Sequence, residues 1–333
     1  MEAMDFTQVI PRIRVLENRL LDKAKIDRMV DAASIEEVLK ILQETEYSNV
    51  SNNSNNPRAY EVMLSDELKR VFNLMYEVSP YREIVDIMSI KYDFHNIKVL
   101  IKSKVSKKDM KDILINIGTV ELHKLSDAVM NDSYRDIPKV MAKAIEEVFL
   151  DFSKEKDPQR IDLILDRYQY QAVEDISERL KNPFIERYVD FLIDLSNIRT
   201  LLRVKKQKKG KDFLKETLLT GGKLDRDKIL ILLNESPENI YNKLAHTDYA
   251  PVLKSGIEDY IKTQSASKLE KLSDNYLMNF MKDAKYVTFG PEPILAYIYA
   301  KESEIKNIRI IMVGKLNNIS SEVIRERLRE VYV

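Results

Sequence analysis

The chain has 333 residues, 44% of them hydrophobic, enough for two or three ordinary domains with cores of their own. Only 7 residues are glycine, which favours long helices over β-rich or glycine-loop folds. Basic and acidic side chains balance at 54 each and cysteine is absent, so net charge gives no reason to expect a nucleic-acid binder, and disulfide scaffolds, thiol catalysis and cysteine-ligated zinc are excluded.

The opening residues lack a basic start followed by an apolar core, so no secretory leader is expected. A first helix is expected from Ser34, where serine and then Glu36 mark a helix start and Leu39 and Leu42 continue one stripe towards Thr45 and Tyr47. Residues 48–57 are a polar, low-complexity loop whose two glycosylation sequons are taken as chance matches. Pro80 reads as the first position of a second helix with Ser79 as its cap, apolar at Ile84, Val85, Ile87 and Met88. The charged run Lys102 to Lys108 follows as an exposed connection, and Thr119, Glu121, Leu125 and Tyr134 form a poor copy of the Ser34 pattern. A third helix starts at Pro183 behind Asn182, carries Tyr188, Val189, Phe191 and Leu192, and ends at the basic run Lys205 to Lys211. Lys228 to Leu233 is compatible with a short strand but stands in helical context. Ser236 to Tyr249 repeats the Ser34 to Tyr47 pattern at a constant offset of 202. A last long helix starts at Pro293 with Ile294, Leu295, Tyr297 and Ile298; within it Ile308 to Val313 again allows a strand reading.

Each proline-led helix carries the same signature, acid-x-x-Asn-Ile-base, near its far end. The copies are Asp93 to Lys98, Asp194 to Arg199 and Glu304 to Arg309, 101 and 110 residues apart and 13, 11 and 11 residues beyond their prolines. A hexamer recurring at near-equal spacing points to one helical unit used three times. The expected fold is all-α, with similar helical domains at 1–105, 106–210 and 211–333. At about 100° per residue the acid, the asparagine and the isoleucine share a face while the base points away. Asp93, Asn96, Ile97 and Leu100 project together, opposite Lys98 and Lys102; Asp194, Asn197, Ile198 and Leu201 do so opposite Arg199 and Arg203. Glu304 and Asn307 stand the same way in the third copy, with Arg309 as the base. The polar pair needs partners when buried. Two readings follow: inter-helix packing, or a ligand or partner surface with threefold pseudo-symmetry, for which Lys98, Arg199 and Arg309 are the candidate partner contacts.

No catalytic set is expected. His95, His123 and His246 have no helical spacing to one another, and His95 is replaced by Ser196 and Lys306 in the other copies. Gly221-Gly222-Lys223 lacks the earlier glycine and the hydroxyl residue of a phosphate loop. Carboxylate pairs such as Glu36-Glu37 and Glu146-Glu147 read as solvated faces, and the run Lys205 to Lys211 lacks interleaved aromatics. No stretch reaches the roughly 18 apolar residues of a membrane span; Tyr188 to Leu202 is broken by Asp190, Asp194 and Arg199.

The segment Pro293 to Arg309, followed by Gly314-Lys315-Leu316 and the closing helix Ile324 to Leu328, resembles the C subunit of V/A-type rotary ATPases, equivalent to the d subunit of the eukaryotic vacuolar pump. Ser34 to Tyr47 and Tyr92 to Leu100 fit as well, and the resemblance covers essentially the whole chain. It implies an all-helical funnel of three similar domains with pseudo-threefold symmetry. It implies a non-catalytic place in the rotor, without a cofactor, peripheral on the cytoplasmic face of the membrane. The partners implied are the D and F proteins of the central shaft and the membrane rotor ring of c/K subunits, with ATP-driven H+ or Na+ transport or ATP synthesis as the work of the whole complex. The alternative reading of the residues is a free-standing helical scaffold that binds other proteins.

Overall fold

Helix starts in this chain are written in short polar side chains. Asn182 accepts from the Phe184 and Ile185 amides at 2.9 and 3.0 Å, with Pro183 next to it where no N–H is needed. Ser34 accepts from the Glu37 amide and Ser236 from the Asn239 amide, so the two copies of that pattern are capped alike. Thr45 and Thr247 then close the two helices in the same way, donating to the carbonyls of Leu42 and Leu244. Asp22 and Asp225 cap the starts of Lys23–Asp31 and Arg226–Leu232, the helices before those two.

The structure, a computed structural model, describes residues 1–49 and 59–333. Among the described residues there are sixteen α-helices and four short 3-10 turns and no strand, so the fold is all-α. Both candidate strands are helical: Lys228 to Leu232 lies in Arg226–Leu232, and Ile308 to Val313 in Glu292–Leu316. Most of the polar tract 48–57, including its sequons beyond Asn49, lies outside the described residues.

Three details differ from expectation. The helix expected from Pro80 is Arg82–Ser106, so Pro80 lies ahead of it, and the Ser79 hydroxyl donates to the Tyr81 carbonyl instead of capping. The run Lys102 to Lys108 is chiefly a helix end, since helix continues to Ser106, whereas in the run Lys205 to Lys211 residues 207–210 do connect two helices. Thr119 does not start a helix; Glu121 precedes Leu122–Asn131.

The described chain groups into two compact units. One joins residues 1–85 to residues 270–333. Its core brings Met29, Val38, Leu42 and Leu64 of the N-terminal helices together with Ile308, Ile311 and Met312 of Glu292–Leu316. That helix is buried on most of its circumference, which is why it shows no simple amphipathic stripe. The other unit, residues 86–269, contains most of Arg82–Ser106 and all of Pro183–Lys206. Its fully buried side chains include Phe94, Ile97, Leu125, Ile145, Leu165, Ile198, Leu201 and Leu253. No helix among the described residues is long and apolar enough to cross a membrane.

Candidate functional site

The three signature helices, Arg82–Ser106, Pro183–Lys206 and Glu292–Leu316, bury their acid and their asparagine. Asp93, Asn96, Asp194, Asn197 and Asn307 are 0% exposed and Glu304 is 6% exposed. Each asparagine grips the backbone N–H and C=O of one residue in the segment that follows its helix, with both halves of its amide. Asn96 pairs with Ile115 at 2.7 and 2.8 Å, Asn197 with Leu219 at 3.1 and 2.8 Å, and Asn307 with Arg329 at 3.0 and 2.8 Å. The partners lie 19, 22 and 22 residues beyond the asparagine, so the docking device is repeated along with the signature.

The acids receive amides and a hydroxyl. Asp93 accepts from Thr119 N and Oγ1, both at 2.7 Å, and from Val120 N at 3.2 Å. Asp194 accepts from Lys223 N at 3.0 Å, from Leu224 N at 3.1 Å and from the Tyr249 hydroxyl at 2.6 Å. Glu304 accepts from Leu21 N at 2.5 Å and from the Tyr47 hydroxyl at 2.8 Å. Tyr47 and Tyr249 are the matching ends of the pattern repeated at offset 202, and each delivers its hydroxyl to a signature acid. The third signature helix is therefore completed by N-terminal residues. Thr119, at an imperfect copy of that pattern, supplies the hydroxyl in the first copy.

Glycine allows the close approach in the first two copies. A Cβ at Gly118 would lie 1.9 Å from Asp93 Oδ1, and one at Gly222 would lie 2.3 Å from Asp194 Oδ1, with φ +78° there as well. Gly221-Gly222-Lys223, with its phosphate-loop flavour, is thus the stretch of backbone that closes over Asp194. In the third copy the acid is glutamate, one methylene longer. Burial pushes the Asp93 carboxyl up to about 6 against the opposing pull of its Thr119 and Val120 bonds. Burial raises Asp194 too, opposed first by the Tyr249 hydroxyl.

The third copy adds an ion network that sequence reading missed. Lys301, three residues before Glu304, is 1% exposed. Its Nζ lies 2.8 Å from Glu304 and 3.2 Å from Glu67. Glu67 also takes Arg70 at 2.7 Å, and Arg70 and Arg19 reach Glu46 at 3.5 and 3.1 Å. Three acids meet three bases, running from the interior to the surface. Burial opposes the Lys301 charge, but Glu304, Tyr297 and Glu67 outweigh it and raise its pKa. The first two copies have Ile90 and Phe191 at this position, so the signature itself carried no sign of it.

The three signature bases have different surroundings. Lys98 pairs with Asp166 and Arg309 holds Glu61 through bonds of 3.0 and 3.1 Å, while Arg199 donates to Ser196 Oγ at 2.9 Å. His95 Nε2 meets the Ile113 carbonyl, His123 faces exposed Glu121, and His246 lines a cavity of about 430 Å³ floored by Ile229, Leu232 and Leu244. The acids buried in these helices are engaged with the chain's own backbone, hydroxyls and charges, so the arrangement braces helices.

Comparison with known proteins agrees on one family. The model of the ATP synthase (C/AC39) subunit family matches residues 9–327. The C subunit of the V-type sodium ATPase of Enterococcus hirae is 32% identical over 330 residues, covering 99% of both chains. The C subunit of the A-type ATP synthase of Methanocaldococcus jannaschii is 28% identical over 344 residues, covering 97% of this chain and 86% of the relative. That of Pyrococcus abyssi is 25% identical over 342 residues, covering 96% and 89%. With its all-α fold and end-to-end match, this chain belongs to the ATP synthase (C/AC39) subunit family, the C subunits of V-type and A-type ATPases.

Proposed function

We propose that this chain is a non-catalytic central-stalk subunit of a V/A-type rotary ATPase, a socket that couples the D/F shaft to the membrane rotor ring of c/K subunits. It works on the cytoplasmic face, peripheral to the membrane, and passes torque between ATP turnover and H+ or Na+ movement. The observation that carries the reading is family membership over residues 9–327. The helix bracing supports it: the buried acids and asparagines tie each signature helix to neighbouring chain, which stiffens the body that would carry torque. Within this reading the domains are those at 1–105, 106–210 and 211–333, and Lys98, Arg199 and Arg309 are proposed contacts on its outer faces.

The test is reconstitution. The purified chain is mixed with D and F, and separately with detergent-solubilised ring, and co-elution is followed at low and moderate salt. Binding to both is expected, with the ring contact weakening as salt screens it. Failure to bind either partner would sink the adaptor reading, and a salt-insensitive ring contact would remove its charged character.

A further inference from the structure

The repeat provides an internal comparison for its charged faces. In the first copy Lys98 is paired with Asp166, and Lys102, one turn on, with Asp162 at 2.7 Å. In the third copy Arg309 is paired with Glu61. The second copy places Arg199 and Arg203 at the positions of Lys98 and Lys102. Among the described residues Arg199 has no carboxylate partner; its bond is to Ser196 Oγ.

Both arginines line one cavity of about 420 Å³ in the unit of residues 86–269. Ser196, Arg199, Thr200, Arg203 and Gln207 follow one another at steps of one to four and form the cavity's helical wall. Gln169 and Tyr170 face them from the helix Pro158–Leu180. The one carboxylate among the lining residues is Asp166, whose charge is matched by Lys98. Arg199 therefore shares the cavity with a second guanidinium and with neutral hydrogen-bonding groups, and its charge is not matched there by an acid. Partial burial, with the neighbouring Arg199 charge, draws the Arg203 guanidinium below its ordinary pKa. An anion would relieve the repulsion between the two guanidinium groups, whose forks match the oxygens of a phosphate group. The volume lies in the range of small-molecule sites and exceeds what one phosphate needs.

We propose that this cavity binds a phosphate-bearing anion, a diphosphate or phosphomonoester group, held by Arg199 and Arg203 with Gln169, Tyr170 and Thr200 as neutral partners. The chain has no net charge, so the attraction is local to this site and not a property of the whole surface. An Arg199 that holds an anion in this cavity is not a partner contact, so the two roles proposed for Arg199 exclude one another.

The test uses the full chain and sodium pyrophosphate, titrated calorimetrically at constant ionic strength set with chloride. Saturable one-site binding is expected. Arg199→Gln should weaken it about ten-fold or more, because a charge-assisted bond is lost. Arg203→Gln, at an exposed position, should weaken it similarly without endangering the fold. Arg12→Gln, an exposed arginine of the other unit, should leave it unchanged. Flotation with phosphatidylcholine vesicles, with and without phosphatidic acid, separates the sources. Acid-dependent flotation that pyrophosphate competes away supports a lipid headgroup; pyrophosphate binding without flotation supports a soluble phosphate compound. Heat no larger than that of chloride, or affinity unmoved by Arg199→Gln and Arg203→Gln, overturns the site. If pyrophosphate does not bind but Arg199→Gln abolishes binding to D and F, Arg199 is a protein contact and the phosphate site is wrong.

Discussion

Replacing Asn197 by leucine should be the most damaging of the three signature asparagine substitutions. Leucine fills a similar volume, so the change removes hydrogen bonds more than packing. The lost pair is Asn197 Nδ2 to the Leu219 carbonyl at 3.1 Å and the Leu219 amide to Asn197 Oδ1 at 2.8 Å. Both partners are buried, Asn197 fully and Leu219 to 7% exposure, so the orphaned peptide groups cannot turn to water. An unsatisfied buried polar group costs about 1–3 kcal/mol, so the two together should cost about 2–5 kcal/mol after partial relaxation. Asn96→Leu and Asn307→Leu free the peptides of Ile115 and Arg329, which are only half-buried, and should cost about 1–2 kcal/mol less each because water can replace part of the bonding. Urea denaturation of the three variants, compared at equal m-values, measures the order. If Asn197→Leu lies within about 0.5 kcal/mol of the parent, or ranks below the other two, the bracing argument is wrong.

Three other outcomes follow from the same geometry. Asp93 has a folded pKa of about 6 against 3.8 unfolded, so its contribution to stability is fully present below pH 3.8 and is lost as pH rises through about 6. The stability difference between the parent and Asp93→Asn should therefore shift by about 3 kcal/mol between about pH 3.5 and about pH 7; parallel curves would refute the buried-charge assignment. Gly222→Ala should cost about 2 kcal/mol or more, since φ is +78° and the new Cβ meets Asp194 at 2.3 Å, and a thermal melt within about 1 °C of the parent would contradict it. Lys301→Ala leaves Glu67 and Glu304 buried without their shared cation and should destabilise by about 3–5 kcal/mol, read by calorimetry; a neutral effect would mean that the network is not intact in solution.

The signature was legible because it lies within six consecutive residues and recurs on the same kind of helix. Its buried face followed from helical geometry alone, and so did the separation of Asp194 and Asn197 from Arg199. The partners were not legible for physical reasons. Leu219, Val120 and Lys223 meet the signature through backbone groups, which every residue type carries, so no side-chain pattern announces them. Lys301 reads as a surface lysine in sequence, and the acid that neutralises it besides Glu304 is Glu67, far away along the chain. Ser79 looked like a cap because serine before proline is a common helix start, yet the helix begins beyond Pro80. In sequence the tyrosines are only the last members of a repeated stripe; that their hydroxyls reach the acids depends on which helix lies next to them.

What recurs in this chain is a bonding arrangement more than a block of sequence. Asp194 takes its hydroxyl from Tyr249, which follows it, whereas Glu304 takes its own from Tyr47, which precedes it by most of the chain. The third copy is thus assembled from both ends of the sequence: Asn307 holds Arg329 while Glu304 holds Leu21 and Tyr47. An element closed in this way cannot loosen at one end without unpairing buried groups at the other, so unfolding of residues 1–85 and of 270–333 should be one cooperative event. The buried Lys301 network sits at that junction and supplies what an apolar contact would not, because a charge taken away from its partners inside a protein is far costlier than a slipped methyl group. Such a junction penalises sliding between the two ends of the chain, because any slip would unpair groups buried on both sides of it.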